Sequence, residues 1–169
     1  MGGAVPTREL SVAPTLTLFR RVTLSALLDY RGGFKQYDAN DAVRCATVSL
    51  RNCRAVYDPT APLTEQAAAV ASRIEFDTGQ IDDTPYIYDA DFWKLREVAI
   101  TVAAPHRWAE RVAASDVRLT FAGRNLATWT SYPGLDPEMN ATPSDPLVRG
   151  DFSTQPPVRY LTARVDVTW

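Results

Sequence analysis

The stretch from Val158 to Trp169 alternates strictly between apolar and polar positions. Leu161, Ala163, Val165, Val167 and Trp169 take one parity; Tyr160, Thr162, Arg164, Asp166 and Thr168 take the other. Successive side chains of a strand point to opposite faces, so this pattern fits an extended segment with one apolar and one polar face. Three more stretches read the same way. From about Thr15 to Tyr30, Leu16, Leu18, Val22, Leu24 and Leu28 oppose Thr15, Thr17, Thr23, Ser25 and Asp29. From Phe92 to Ala103, Val98, Ile100 and Val102 share a parity with Lys94 and Arg96, opposite Glu97, Ala99 and Thr101. From Asp116 to Thr130, Val117, Leu119 and Phe121 oppose Arg118, Thr120, Ala122 and Arg124. The chain is therefore predicted to be all-β, with antiparallel strands over about 15–30, 92–103, 116–130 and 158–169.

The connections between these strands are very unequal. A short link, 104–115, joins the second and third. Long ones, about 31–91 and 131–157, join the others, so both long connections fall at one end of the sheet. Compact soluble domains favour connections of ~4–6 residues. Outer-membrane barrels combine short turns at one end with long loops at the other. The first long loop contains an Ala-rich stretch, Ala67 to Arg73, predicted to form a short helix after the turn Asp58-Pro59-Thr60-Ala61-Pro62.

Composition narrows the function. Lys and Arg number 18 against 20 Asp and Glu, a net charge of -2, which argues against a dedicated nucleic-acid binder. Mean hydropathy is -0.20, and no apolar run is long enough for a membrane helix, but barrel strands average to such a value. The N-terminus lacks the features of a signal peptide. His106 is the only histidine, and no Walker, GxGxxG or GxSxG motif occurs, so no enzyme constellation is present. No cofactor is implied. Two folds accommodate the alternation: a soluble β-sandwich that binds carbohydrate or protein, or a piece of a membrane barrel.

Several short runs favour the barrel. Asp91-Phe92-Trp93-Lys94-Leu95-Arg96-Glu97-Val98, Gly123-Arg124-Asn125-Leu126-Ala127-Thr128-Trp129-Thr130, Tyr132-Pro133-Gly134-Leu135-Asp136-Pro137-Glu138, and Gly150-Asp151-Phe152 followed by Pro157-Val158-Arg159 stand in order. Together they resemble the C-terminal end of SusC/RagA-type TonB-dependent outer-membrane transporters. The resemblance is specific over 91–169 and looser over 6–33. It implies a transmembrane barrel of about 22 strands, of which residues 1–169 would supply about four C-terminal strands with long outer loops. The family's plug and TonB box have no counterpart here, so Met1 is not expected to begin a mature transporter.

The resemblance also implies roles. The outer membrane is the location, and glycans or peptides are the cargo. Partners would be a SusD-like lipoprotein, TonB-ExbB-ExbD through the plug, the barrel-assembly machinery and outer-membrane lipid, with no nucleic acid. Val98, Ile100, Val117, Leu119, Phe121, Leu161, Val165 and Val167 would face lipid. Glu97, Thr101, Arg118, Arg124, Thr162, Arg164 and Asp166 would face the lumen, while Lys94 and Arg96 snorkel outward. Trp169 would be an assembly signal or an inner-belt aromatic, and Tyr30, Trp129 and Tyr132 an outer belt. In an oxidising compartment Cys45 and Cys53 would pair; otherwise they are free thiols. Asp77, Asp82, Asp83, Asp89 and Asp91 could gather a hard cation or form a solvated loop, without EF-hand spacing. Tyr57, Tyr86, Tyr88 and Tyr132 could stack on a sugar, contact a lid lipoprotein or pack within the loops.

Overall fold

A computed structural model describes residues 2–46, 52–79, 84–143 and 148–169, without the side chains of residues 75 and 76. Strands run over Arg8–Val12 (β1), Thr15–Leu18 (β2), Val22–Gly32 (β3), Lys35–Asp38 (β4) and Ile87–Asp89 (β5). Phe92–Ala103 (β6), Asp116–Thr130 (β7), Gly150–Asp151 (β8) and Tyr160–Thr168 (β9) follow. Helices span Ala39–Ala46 (α1), Arg54–Tyr57 (α2), Leu63–Thr78 (α3) and His106–Ala109 (α4). The chain divides into a sheet unit, Arg8–Arg31, Phe92–Trp129 and Pro157–Trp169, and a loop unit, Met1–Thr7, Gly32–Asp91 and Thr130–Pro156.

The sheet unit is one layer. Its six strands run β1-β3-β6-β7-β9, with β2 also on β3. The β2–β3, β3–β6 and β7–β9 pairs are antiparallel. The sheet is thus the antiparallel wall expected of a TonB-dependent barrel, with more strands than the four read from alternation. Two departures have definite causes.

First, 15–30 is not one strand. The chain reverses between Leu18 and Val22, where the Arg21 N–H donates to the Leu18 carbonyl at 3.1 Å. Phe19 and Arg20 both have positive φ, 49° and 58°, which is the type I′ hairpin geometry. Leu18 pairs with Val22 and Leu16 with Leu24, so the apolar parity continues through the turn. No Gly, Asn or Asp marks it.

Second, the β3–β6 register slips between Leu27 and Leu28: Leu27 faces Glu97, and Leu28 faces Leu95. Arg96 is the extra, bulged residue. Before the bulge β6 changes parity, so Lys94 lies opposite Asp29, on the polar face with Glu97 and Thr101. The expectation that Lys94 and Arg96 share the face of Val98 is therefore corrected. Arg96 Nε donates to Asp29 at 2.8 Å, and Lys94 is buried with its ammonium 5.6 Å from the Phe92 ring centroid.

The loop unit has its own core. Strands β5-β4-β8 form a small sheet whose β4–β8 pair is parallel, with Asp38 opposite Asp151. Ala42, Cys45, Cys53, Ala69 and Tyr86 pack together. Cys45 and Cys53 are joined in a disulfide with Cα atoms 5.1 Å apart. Helix α3 is longer than the Ala-rich core predicted: it begins after Pro62, whose carbonyl accepts the Glu65 and Gln66 N–H groups. It stops at Gly79, whose φ of 73° is the left-handed cap that glycine adopts without strain.

Candidate functional site

The sheet has two chemically distinct faces. Pairing puts Val98 with Ala26, Ile100 with Leu24, Val117 with Val167, Leu119 with Val165 and Gly123 with Leu161. With Phe121, the eight residues predicted to face lipid share one face. Many are exposed: Leu161 by 81%, Val165 by 63% and Phe121 by 48%. A soluble sandwich would cover this face with a second sheet.

Glu97, Thr101, Arg118, Arg124, Thr162, Arg164 and Asp166 share the other face by the same registers. They form a hydrogen-bonded lattice. Arg124 bonds Glu97 and donates to the Tyr160 hydroxyl at 3.3 Å. The Thr101 and Thr120 hydroxyls lie 2.9 Å apart. Arg118 pairs with Asp116 at 2.7 Å, and Arg164 with Asp166 at 2.7 Å. A face of this kind suits water or polar solute.

Other predicted residues scatter. Trp169 follows β9 and is 81% exposed. Tyr30 packs on Trp93 with ring centroids 4.9 Å apart, and Trp129 is exposed. Tyr132 is not a belt residue: it is buried, with Gly134 so close that a Cβ there would lie 2.4 Å from its ring. Tyr86 is also buried, its hydroxyl 2.9 Å from that of Ser72, and Tyr57 is exposed. The acidic residues do not converge. Asp77 pairs with Arg73 and Asp89 with Lys35, while Asp91 accepts the Gly33 N–H; Asp82 and Asp83 lie outside the described residues. Among the described residues no metal-binding group of acids, His or Cys is assembled. His106 is exposed at the start of α4, 3.3 Å from Glu110.

A site not evident from the sequence lies in the loop unit. A cleft of about 670 Å³ opens between the β4–α1 junction, α2, the start of α3, and the segment 133–135. Asp38, Asp41, Glu65, Arg44 and Arg54 bring both signs of charge to it, and Pro85, Tyr88, Pro133 and Leu135 give apolar wall. Asp38 is buried and accepts the Asp41 N–H at 3.1 Å. Burial pushes its carboxyl above the usual range, and the Asp41 and Asp151 carboxylates add to this. Burial likewise lifts the Tyr88 phenol to about 12. The walls come from three distant stretches of chain, so no local pattern announces them.

No family model matches the chain. A curated relative, TonB-dependent receptor P3 of Formosa agariphila, is 32% identical over 82 residues, which is 46% of this chain and 8% of that receptor. The fold is shared with the RagAB peptide importer in its open-open state: TM-score 0.59 and 18% identity, over 98% of this chain and 17% of that one. The closed-closed state gives 0.59 and 18% over 87% and 16%. Over those 82 residues the sequence is similar to a TonB-dependent receptor, and the fold is that of the matching part of the RagAB importer. The chain spans less than a fifth of the length of these relatives.

The residues that carry the likeness lock local structure. The Asp91 carboxylate accepts the Gly33 N–H at 2.7 Å, and its carbonyl accepts the Thr130 hydroxyl at 2.8 Å. Asp136 turns the chain by accepting the Glu138 N–H at 2.8 Å. Asp151 is fully buried and accepts from Asn40 and Thr154. At Gly123 an added Cβ would meet Leu126 at 2.9 Å, where the positive φ of Asn125, 52°, re-aims the strand.

Proposed function

We propose that this segment is barrel wall and external loop of a TonB-dependent outer-membrane transporter, which imports peptides or oligosaccharides with a SusD-like lipoprotein. The observation that carries this is the division of the sheet. Val98, Ile100, Val117, Leu119, Phe121, Leu161, Val165 and Val167 meet lipid, where apolar side chains lose nothing by exposure. Glu97, Thr101, Arg118, Arg124, Thr162, Arg164 and Asp166 line the lumen, where their charges stay hydrated. Between the two edge strands the backbone needs no water, because neighbouring strands satisfy it within the layer. TonB-ExbB-ExbD would act on the plug of the whole receptor, and the barrel-assembly machinery would read the strand that ends at Trp169.

Spin labels test the reading in the receptor that carries this segment, reconstituted in lipid vesicles. Labels at Val165→Cys and Phe121→Cys are expected to collide with lipid-dissolved oxygen. Labels at Thr162→Cys and Thr101→Cys are expected to collide with an aqueous nickel chelate. Equal accessibility of the two faces to both reagents refutes the assignment.

A further inference from the structure

Three arginines meet on the polar face of the sheet unit, at the end where short turns join its strands. A hollow of about 210 Å³ there is lined by Arg20, Arg21, Thr23, Thr101, Ala103 and Arg118. Thr23 of β3 and Thr101 of β6 are register partners and half-buried, and the arginines around them are exposed. The Arg21 carbonyl accepts the Ala103 N–H at 2.8 Å, which ties the β2–β3 turn to β6. None of the described lining residues is acidic. Asp116 takes up Arg118 at 2.7 Å. Asp166, the register partner of Arg118, is taken up by Arg164 at 2.7 Å. Arg20 and Arg21 make no side-chain hydrogen bond or ion pair among the described residues. Four guanidiniums against two carboxylates leave two positive charges at the hollow.

The turn that places Arg20 is a second, separate observation. Phe19 and Arg20 both have positive φ, 49° and 58°, a region that residues other than Gly, Asn and Asp rarely adopt. Packing does not offset the strain, because the Phe19 side chain is 89% exposed. Strain of this kind gathers at binding and active sites. Charge and size then select the ligand. A cation is repelled. A volume of about 210 Å³ is below the ~300 Å³ at which small-molecule sites begin, so a sugar chain does not fit. A carboxylate or a lipid phosphodiester carries one negative charge and leaves one guanidinium unmatched. A phosphate dianion matches both and offers three oxygens to guanidinium and hydroxyl donors.

We propose that this hollow binds a phosphate dianion, free or as a monoester, between the Arg20 and Arg21 guanidiniums, with Arg118 as the third cation. The site requires only that the polar face meet water, whatever the barrel carries. The test is calorimetric titration of the detergent-solubilised receptor carrying this segment, in phosphate-free buffer. The probes are inorganic phosphate and glycerophosphoglycerol, a lipid headgroup that is a singly charged diester. Inorganic phosphate binds, and the diester binds at least about tenfold more weakly. Arg20→Gln and Arg21→Gln each weaken phosphate about tenfold, with the receptor's heat-modifiable gel shift unchanged. Arg107→Gln, in α4 at the same end but outside the hollow, leaves the affinity as it was. Replacing Phe19-Arg20 by Asn-Gly, which suits the turn, loses phosphate as Arg20→Gln does. No binding of phosphate, an affinity unmoved by both Arg20→Gln and Arg21→Gln, or an equal loss in Arg107→Gln overturns the site. Diester binding as tight as that of phosphate overturns the dianion and makes a lipid headgroup the ligand.

Discussion

A single side chain decides how a strand position reads its surroundings. Val165 stands 63% exposed on the apolar face, one residue from Arg164 on the polar face. A cation at a lipid-facing midplane position costs about 2–4 kcal/mol, whereas lumen positions tolerate charge. Val165→Arg is expected to lower stability by that amount in urea titrations in lipid vesicles, and Thr162→Arg to leave it within about 0.5 kcal/mol. If the two variants lose equally, the faces are misassigned. Asp38 makes a different point. Its carboxyl titrates above the usual range because it is buried, beside Asp41 and Asp151. The folded chain therefore holds this proton more tightly than the unfolded chain, and burying the ionised form weakens the loop unit at neutral pH. That weakening fades as pH falls through the folded value and is absent below the ordinary value of 3.8. Asp38→Asn keeps an oxygen for the Asp41 N–H. It should raise the protection of α1 amides from hydrogen exchange at about pH 7, with the gain closing as pH approaches about 4. A gain that grows on acidification would contradict this account.

Strands and turns differ in how openly the sequence announces them. The alternation of 116–130 and 158–169 is legible because one face must be apolar along the whole length. The β2–β3 turn is not, because Phe19 and Arg20 occupy backbone positions that glycine and asparagine normally fill, and the parity of Leu18 carries over to Val22. The bulge at Arg96 is hidden for a related reason: Lys94 and Arg96 keep the spacing of Val98, but the extra residue reverses the face. The cleft was invisible because Asp38, Glu65 and Leu135 meet only in three dimensions. The turn invites a direct test. Left-handed backbone costs an ordinary residue about 1–2 kcal/mol. Replacing Phe19-Arg20 by Asn-Gly, the pair that suits this turn, should raise the midpoint of urea unfolding in detergent by a corresponding amount. A lowered midpoint would mean that the Phe19 side chain, 89% exposed in this chain, has an apolar contact worth more than the strain.

At the scale of the whole molecule, the sheet is unfinished. Its order begins at β1 and ends at β9, so each terminal strand presents a row of N–H and C=O groups with no neighbour in this sheet among the described residues. In lipid such a row costs several kcal/mol per unsatisfied group, which is why membrane sheets close into barrels. In water the same row templates strand addition, and the exposed apolar face adds a second drive to associate. The loop unit, with its own core and disulfide, has no such defect. The two units should therefore part company when residues 1–169 are produced alone. In plain buffer the isolated chain is expected to sediment as large aggregates. In detergent micelles it should stay dispersed, with α1 and α3 amides protected from exchange and the β9 edge unprotected. A monodisperse, cooperatively melting monomer in plain buffer would mean that something covers the apolar face and both edges in solution, and the barrel-wall assignment would fall with it.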